Sequence, residues 1–303
     1  MKLTTKEIVR NAWKAKTVVP SFNVPYLPMM EPIVRALRDT ESFGLVMVAR
    51  LEWVKFESGS MKAIRDEYEQ VKDERYTRLH LDHVPVIDED SLRVDFEREI
   101  GEAIDLGYES VMVDGSRLAL DENIACTRKI VELAANSGVA VEGELGAVLG
   151  HESGPLPPYE EIFASGKGFT RTDEAIRFAT ETGVDWLSVA IGNVHGAIAD
   201  ATRGQKKIEA RLALDHLTRL SEAAKVPLVL HGGTGIRRND LLASFNRGIA
   251  KINVATAIRQ PYEKAIDLPV SERQQVVYET MVDLLRNELR VAGKAPIHTG
   301  EMV

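Results

Sequence analysis

Val229-Leu230-His231-Gly232-Gly233-Thr234-Gly235 joins an apolar run to a histidine and then to a glycine-rich turn. An apolar run of this length bounded by glycine reads as a buried parallel strand. Its carboxyl end sets two chemical tools side by side. His231 can bind a metal. The backbone N–H groups of Gly232, Gly233 and Thr234 can hold an anion, with Arg237-Arg238-Asn239-Asp240 opening the next helix. A metal ligand beside a phosphate cradle points to metal chemistry on a phosphorylated molecule. The same residues also suit an ordinary strand-to-helix turn that contains a histidine, so the rest of the chain has to decide.

Outward from this stretch the same unit recurs. Apolar runs at 18–24, 45–48, 79–84, 110–115, 139–145, 186–191 and 249–254 read as strands. Helical spacing falls at 27–40, 60–75, 91–106, 121–136, 172–182, 205–224 and 239–246. Helices continue to about residue 292, and the last ten residues read as loose. The segment 146–168 is rich in Gly, Pro and Ser and has no period, which predicts a functional lid or a disordered loop. About eight strand–helix units with no break in composition predict one domain over 1–303. It is an α/β protein, a (β/α)8 TIM barrel over about 16–265, with a C-terminal helical extension over about 266–292. A doubly wound open sheet is the alternative, and a strand count near eight favours closure.

The bulk numbers narrow the function. The 303 residues are 44% hydrophobic, enough for a full core. A formal net charge of -8 argues against nucleic acid or an anionic membrane as partner. The one cysteine, Cys126, cannot form an internal disulfide and suits a cytoplasmic protein. No apolar stretch reads as a signal peptide or a membrane span.

In a barrel of this kind the active site lies at the carboxyl ends of the strands, where buried strands should otherwise be apolar. Polar residues there carry the information. They are Asp82-His83 after the third strand and Glu142 and Glu144 on the fifth. Gly192-Asn193-Val194-His195-Gly196 follows the sixth, His231 ends the seventh, and Asn253 with Thr256 ends the eighth. Three of the seven histidines, His83, His195 and His231, therefore face one mouth. Three histidines with an open fourth position is a layout for catalytic zinc, although each alone would suit a hydrogen-bonded core residue. Asp82 can move a proton on a substrate hydroxyl or orient a metal-binding histidine. Glu144 can bind the metal or support its ligands. Glu152, in the irregular loop, reads as a second acid/base or as a solvated charge. His80 is placed to orient the site, and His216 to lie on a helical surface.

Several blocks also resemble one family, the class II, zinc-dependent ketose-bisphosphate aldolases of the fructose- and tagatose-bisphosphate type. They are Ser21-Phe22-Asn23, His80-Leu81-Asp82-His83, Ser110-Val111-Met112-Val113-Asp114-Gly115-Ser116 with Glu122-Asn123, and Glu142-Gly143-Glu144-Leu145-Gly146. Gly183-Val184-Asp185 and the run from Val189 to Gly196 follow, then His231-Gly232-Gly233-Thr234-Gly235 and Asn253-Val254-Ala255-Thr256. The resemblance implies cleavage of a ketose 1-phosphate or 1,6-bisphosphate to dihydroxyacetone phosphate and an aldehyde. It implies His83, His195 and His231 as ligands of Zn2+ or another divalent metal, with Glu144 beside it. Asp82 would handle the proton of the C4 hydroxyl, and Glu152 the proton at C3. Asn23, Gly196, Gly232, Gly233, Thr234, Asn253 and Thr256 would hold the sugar phosphate, with a monovalent cation, Na+ or K+, near the phosphate. A homodimer or homotetramer is implied as well.

The acceptor half departs from the family pattern. Ala49-Arg50-Leu51-Glu52-Trp53 stands where a serine is usual, so Glu52 would repel a second phosphate while Arg50 would attract one. Val84-Pro85 follows Asp82-His83, and Ala197-Ile198-Ala199-Asp200 follows His195-Gly196, in place of the usual residues. The donor half thus reads as intact and the acceptor half as altered. Two other readings keep the metal site: a sugar-phosphate epimerase or isomerase, which returns a proton without cleaving carbon–carbon bonds, and a protein that only binds a sugar phosphate.

Overall fold

A computed structural model of the chain describes residues 2–146, 159–194 and 209–301. Eight parallel strands close into a barrel in the order β1-β2-β3-β4-β5-β6-β7-β8. They are β1 (Val19–Asn23), β2 (Gly44–Ala49), β3 (Thr77–Pro85), β4 (Ser110–Asp114), β5 (Ala140–Leu145), β6 (Trp186–Val189), β7 (Leu228–Leu230) and β8 (Ile249–Val254). The pairing of β1 with β8 through Ser21 and Asn253 completes the ring, so the open-sheet alternative is excluded. Strands such as β2, buried at every position, are apolar on both faces because one side meets helices and the other the barrel interior.

Helices α1 (Thr5–Lys14), α2 (Met30–Asp39), α3 (Arg50–Lys55), α4 (Met61–Val71), α5 (Phe96–Asp105), α6 (Leu120–Ala134) and α7 (Tyr159–Ser165) accompany the first half. The second half carries α8 (Thr172–Thr182), α9 (Leu214–Ala224), α10 (Arg238–Phe245), α11 (Thr256–Lys264), α12 (Val270–Asp283) and α13 (Ala295–Thr299). The expected C-terminal extension over about 266–292 is present as α12, and α13 lies beyond it. Helix α1 is not among the expected elements. Thr4 caps it, accepting from Glu7 N while Glu7 Oε2 accepts from Thr4 N at 2.8 Å. Its buried Ile8, Val9 and Ala12 form the apolar face of this helix, which packs on β8 and α13.

Four boundaries differ from expectation, each because backbone groups find other partners. Residues 91–95 are not helical: Asp88 Oδ1 accepts from Asp90 N and Leu92 N at 3.1 and 2.8 Å, which holds a turn ahead of α5. Residues 209–213 are not helical either, because Ala210 bonds through N and O to Gly235 and Arg237 in the loop after β7. The stretch 146–168 is not wholly irregular, since α7 lies within it, anchored by Tyr159 Oη donating to Gly192 O at 2.9 Å. Of the last ten residues, the described ones, 294–301, are not loose: Ala295 N donates to Glu41 O at 3.0 Å, and His298 is fully buried in α13.

The barrel interior is polar where such interiors are usually aliphatic. Lys251 Nζ lies 2.9 Å from Glu142 Oε2 and 2.6 Å from Asn253 Oδ1. Glu142 also accepts from Trp186 Nε1 at 2.6 Å and from His231 Nε2 at 2.8 Å. Asn253 Nδ2 in turn donates to Asp82 Oδ1 at 2.8 Å. Trp186 is the neighbour of Glu142 on β6, but β8 is not adjacent to β5 or β3, nor β5 to β7, so Lys251 meets Glu142, Asn253 meets Asp82 and His231 meets Glu142 only across the interior. Alternation explains the neighbours: Gly143, between Glu142 and Glu144, faces outward, and a Cβ there would stand 2.7 Å from Phe178 of α8.

Lys251 and Glu142 are both fully buried. Removing one partner of such a pair strands the other charge in a low-dielectric interior. Lys251→Met is therefore expected to lower unfolding free energy by about 3–5 kcal/mol, read from the midpoint of urea denaturation. Lys251→Met combined with Glu142→Gln should recover part of that loss. Equal stability of Lys251→Met and wild type would contradict the assignment.

Candidate active site

Asp82 and His83 are consecutive, and simple alternation would send them to opposite faces of β3. The backbone solves this with a bulge. The register between β3 and β4 shifts between Leu81 and Val84, and His83 sits at φ 29°, in the left-handed region unusual for a residue with a Cβ. Both side chains then reach the mouth. Asp82 is almost fully buried and held at both oxygens, Oδ1 by Asn253 and Oδ2 by Asn23 Nδ2 at 3.1 Å. Two amide donors on one carboxylate fix its rotamer and leave it as an acceptor.

Beside Asp82, His83 and His231, the two described histidines of the expected ligand set, approach each other. The His83 and His231 rings stand 4.5 Å apart at 70°. His83 Nδ1 lies 3.0 Å from Asp114 Oδ2, and His231 Nε2 lies 2.8 Å from Glu142 Oε1. A carboxylate on one ring nitrogen orients the imidazole and leaves the other nitrogen for a ligand. Glu144 closes the group, with Oε2 at 3.4 Å from His231 Nδ1 and 3.7 Å from His83 Nδ1. Ligand atoms of Asp82, His83 and His231 lie within 4.8 Å of one another, as do those of His83, Asp114 and Glu144.

Electrostatics favours a cation here. Burial, then the charge of Asp114, pushes the Glu144 carboxyl well above the usual range, and its buried Oε2 has no hydrogen-bond partner among the described residues. Burial pulls His83 down, but Asp82, a hydrogen bond to Asp114 and Glu144 together push it up to about 10. A site that draws a proton this strongly draws a metal ion for the same reason. Burial and the neighbouring His83 lower His231, which keeps it neutral and suited to ligation. His80 is likewise kept neutral, pushed down to about 3 by burial and Lys251. Its Nδ1 lies 2.9 Å from Ser110 Oγ, and its Nε2 lies 4.0 Å from Asp82, so it lines the floor beneath the site.

The turn after β7 lies beside this group. Gly232 adopts φ 66°, and a Cβ on Gly233 would meet Ile252 at 2.7 Å, so both positions need glycine. The Gly233 N–H is already committed to Asn253 O at 3.0 Å, which removes it from the expected anion cradle. Thr234 Oγ1 accepts from Ala257 N at 3.2 Å and so draws the turn against the first residues of α11, where Thr256 stands. Asn193 Nδ2 donates to His231 O at 3.0 Å and ties the end of β6 to the same turn. His216 is half-buried rather than on the surface, its Nε2 2.8 Å from Thr170 O.

Among the site residues expected from sequence, Asp82, His83, Glu144, His231, Asn23 and Asn253 come together, with Gly232, Gly233, Thr234 and Thr256 alongside. Glu152, His195 and Gly196 lie outside the described residues. Asp114, Lys251 and the anchoring role of Glu142 are additions. A charged residue inside an otherwise apolar strand, as in Ile249-Ala250-Lys251-Ile252, was the available signal for Lys251.

Arg50 does not wait for a phosphate. Its Nε lies 3.2 Å from Glu99 Oε2, and its Nη1 lies 3.7 Å from Asp88. Glu52 turns inward, its Oε2 accepting from Ala49 N at 2.8 Å and from Asn23 Nδ2 at 3.2 Å. Burial, opposed by the Ala49 bond and aided by Asp82, pushes its carboxyl up to about 8.

Comparison with known proteins agrees with this geometry. Residues 3–295 match the family described as fructose-bisphosphate aldolase class-II. The fructose-bisphosphate aldolase of Streptococcus pyogenes serotype M3 is 32% identical over 267 residues, 87% of this chain and 82% of that one. The sulfofructosephosphate aldolase of Alkalicoccus urumqiensis is 28% identical over 96% of both chains. The crystal structure of the YdjI aldolase from Escherichia coli K12 shares the fold, with a TM-score of 0.74 and 24% identity over 97% of this chain and 100% of that one. The chain belongs to the class II fructose-bisphosphate aldolase family and is an aldolase, a carbon–carbon lyase.

Proposed function

We propose that the protein cleaves a ketose 1-phosphate or 1,6-bisphosphate reversibly to dihydroxyacetone phosphate and an aldehyde, with a divalent metal, zinc in the first instance. The observation that carries this reading is the convergence of ligand atoms of Asp82, His83 and His231 within 4.8 Å of one another, with Glu144 Oε2 3.4 Å from His231 Nδ1, Asp82 pinned at both oxygens and the turn at Gly232 adjoining. One free, buried cysteine, Cys126, fits a reducing, cytoplasmic setting.

His83, His231 and Glu144 would hold the metal, with His195 from the loop after β6. When bound, the ion supplies Lewis-acid stabilisation to the substrate oxygen that gains charge. Asp82 accepts the proton of the C4 hydroxyl as the C3–C4 bond breaks and the bonding pair moves to C3, delocalised onto the adjacent carbonyl. Glu152 returns a proton to C3. The turn at Gly232 and Thr234, against the start of α11, would hold the donor phosphate, as loops after the seventh and eighth strands of such barrels commonly do. A monovalent cation near the phosphate belongs to the same proposal.

The donor half-reaction tests the reading without knowledge of the aldehyde. Zinc-loaded protein in D2O should exchange one C3 proton of dihydroxyacetone phosphate, followed by NMR, and a chelator should abolish the exchange. No exchange by zinc-loaded protein would sink the proposal. Glu142→Gln, which weakens the anchor on His231, should lower metal affinity about 10–100-fold in a competition titration. Unchanged affinity would remove Glu142 from the account.

A further inference from the structure

We infer that Glu52 selects the aldehyde: the acceptor end of the site takes an uncharged, hydroxyl-bearing group and turns away a phosphate or other anion. This rests on the aldolase reading and specifies its acceptor. Glu52 stands in the first turn of α3, just beyond β2, and is only 7% exposed. The Ala49 N–H and the Asn23 amide lock its Oε2. Asn23 donates to Asp82 as well, so Glu52 sits one amide away from the carboxylate assigned to the C4 hydroxyl. The turn assigned to the donor phosphate follows β7, three strands from β2 around the ring. What reaches Glu52 is therefore the part of the substrate beyond C4.

The charges around Glu52 decide what that part is. Oε1 accepts no hydrogen bond among the described residues. Among the described guanidinium groups on this side, Arg50 is engaged by Glu99 and Asp88. Arg259, whose charge acts on Glu52, is held by both oxygens of Glu263 at 2.6 and 2.7 Å. Among the described residues, an anion leaving water here meets a carboxyl and cations already paired with carboxylates, which is unfavourable. A hydroxyl both donates and accepts, so it pairs with Oε1 whether or not the carboxyl carries a proton.

The test is condensation of dihydroxyacetone phosphate with glyceraldehyde, propanal and glyceraldehyde 3-phosphate, by the zinc-loaded wild type, Glu52→Gln and Glu52→Ala. Wild type should show kcat/KM for glyceraldehyde at least tenfold above that for glyceraldehyde 3-phosphate. Glu52→Ala should lose about tenfold on glyceraldehyde relative to propanal, and Glu52→Gln, which keeps an amide to bond the hydroxyl, should lose less than threefold on the same ratio. A wild-type preference for the phosphorylated aldehyde overturns the inference. So does an equal loss on glyceraldehyde and propanal, which would mark Glu52 as structural. If Glu52→Ala does not fold, the wild-type ratio and Glu52→Gln still decide. Failure of the wild type to exchange the C3 proton of dihydroxyacetone phosphate would instead strike the aldolase reading itself, which separates the two.

Discussion

The buried pair of Lys251 and Glu142 is the contact on which the rest of the site depends. Two opposite charges without water are held 2.9 Å apart in the barrel, and each has a second task. Lys251 occupies the oxygen of the Asn253 amide, so that its NH2 must point toward Asp82. Glu142 takes Nε2 of His231, so that Nδ1 faces Glu144 and the metal group. One ion pair thereby aims both the carboxylate assigned to the hydroxyl proton and a ligand assigned to the metal. Its desolvation is costly, and its retention inside a barrel fits a role in positioning rather than in stability alone.

The second constraint is the bulge in β3. A strand delivers every other side chain to a given face, and two consecutive residues at one mouth require a break in that rhythm. The break is local: φ 29° at His83 and a single register shift against β4. Backbone strain of this kind persists where surrounding contacts over-determine it. Here Asn23, Asn253 and Asp114 hold the two side chains on either side of it.

Much of this was legible in the sequence because a parallel barrel writes itself plainly. Apolar runs mark all eight strands in the sequence, the seventh bounded by glycine, and the polar residues at their carboxyl ends include Asp82, His83, Glu144, His231 and Asn253. Cross-barrel pairing was not legible, because partners such as Lys251 and Glu142 are far apart in the chain and joined by no period. Glu52 could be seen only as a charge near an acceptor; its inward turn depends on Asn23 and the Ala49 N–H, which are tertiary facts. The start of α9 lies later than helical composition suggests because Ala210 bonds to the loop after β7, while Arg211 N, Leu212 N and Ala213 N donate to Tyr159, Asp240 and Ile191. Helix α13 is not legible in the sequence because its buried face is set by contact with α1, not by a long apolar stripe.

Crystals of the zinc-loaded protein, measured above and below the zinc absorption edge, would test the central claim most directly. The account predicts one strong anomalous peak enclosed by His83, His231 and Glu144, with Lys251 still on Glu142 behind it. A peak elsewhere in the barrel, or none at this position in zinc-saturated crystals, would contradict it.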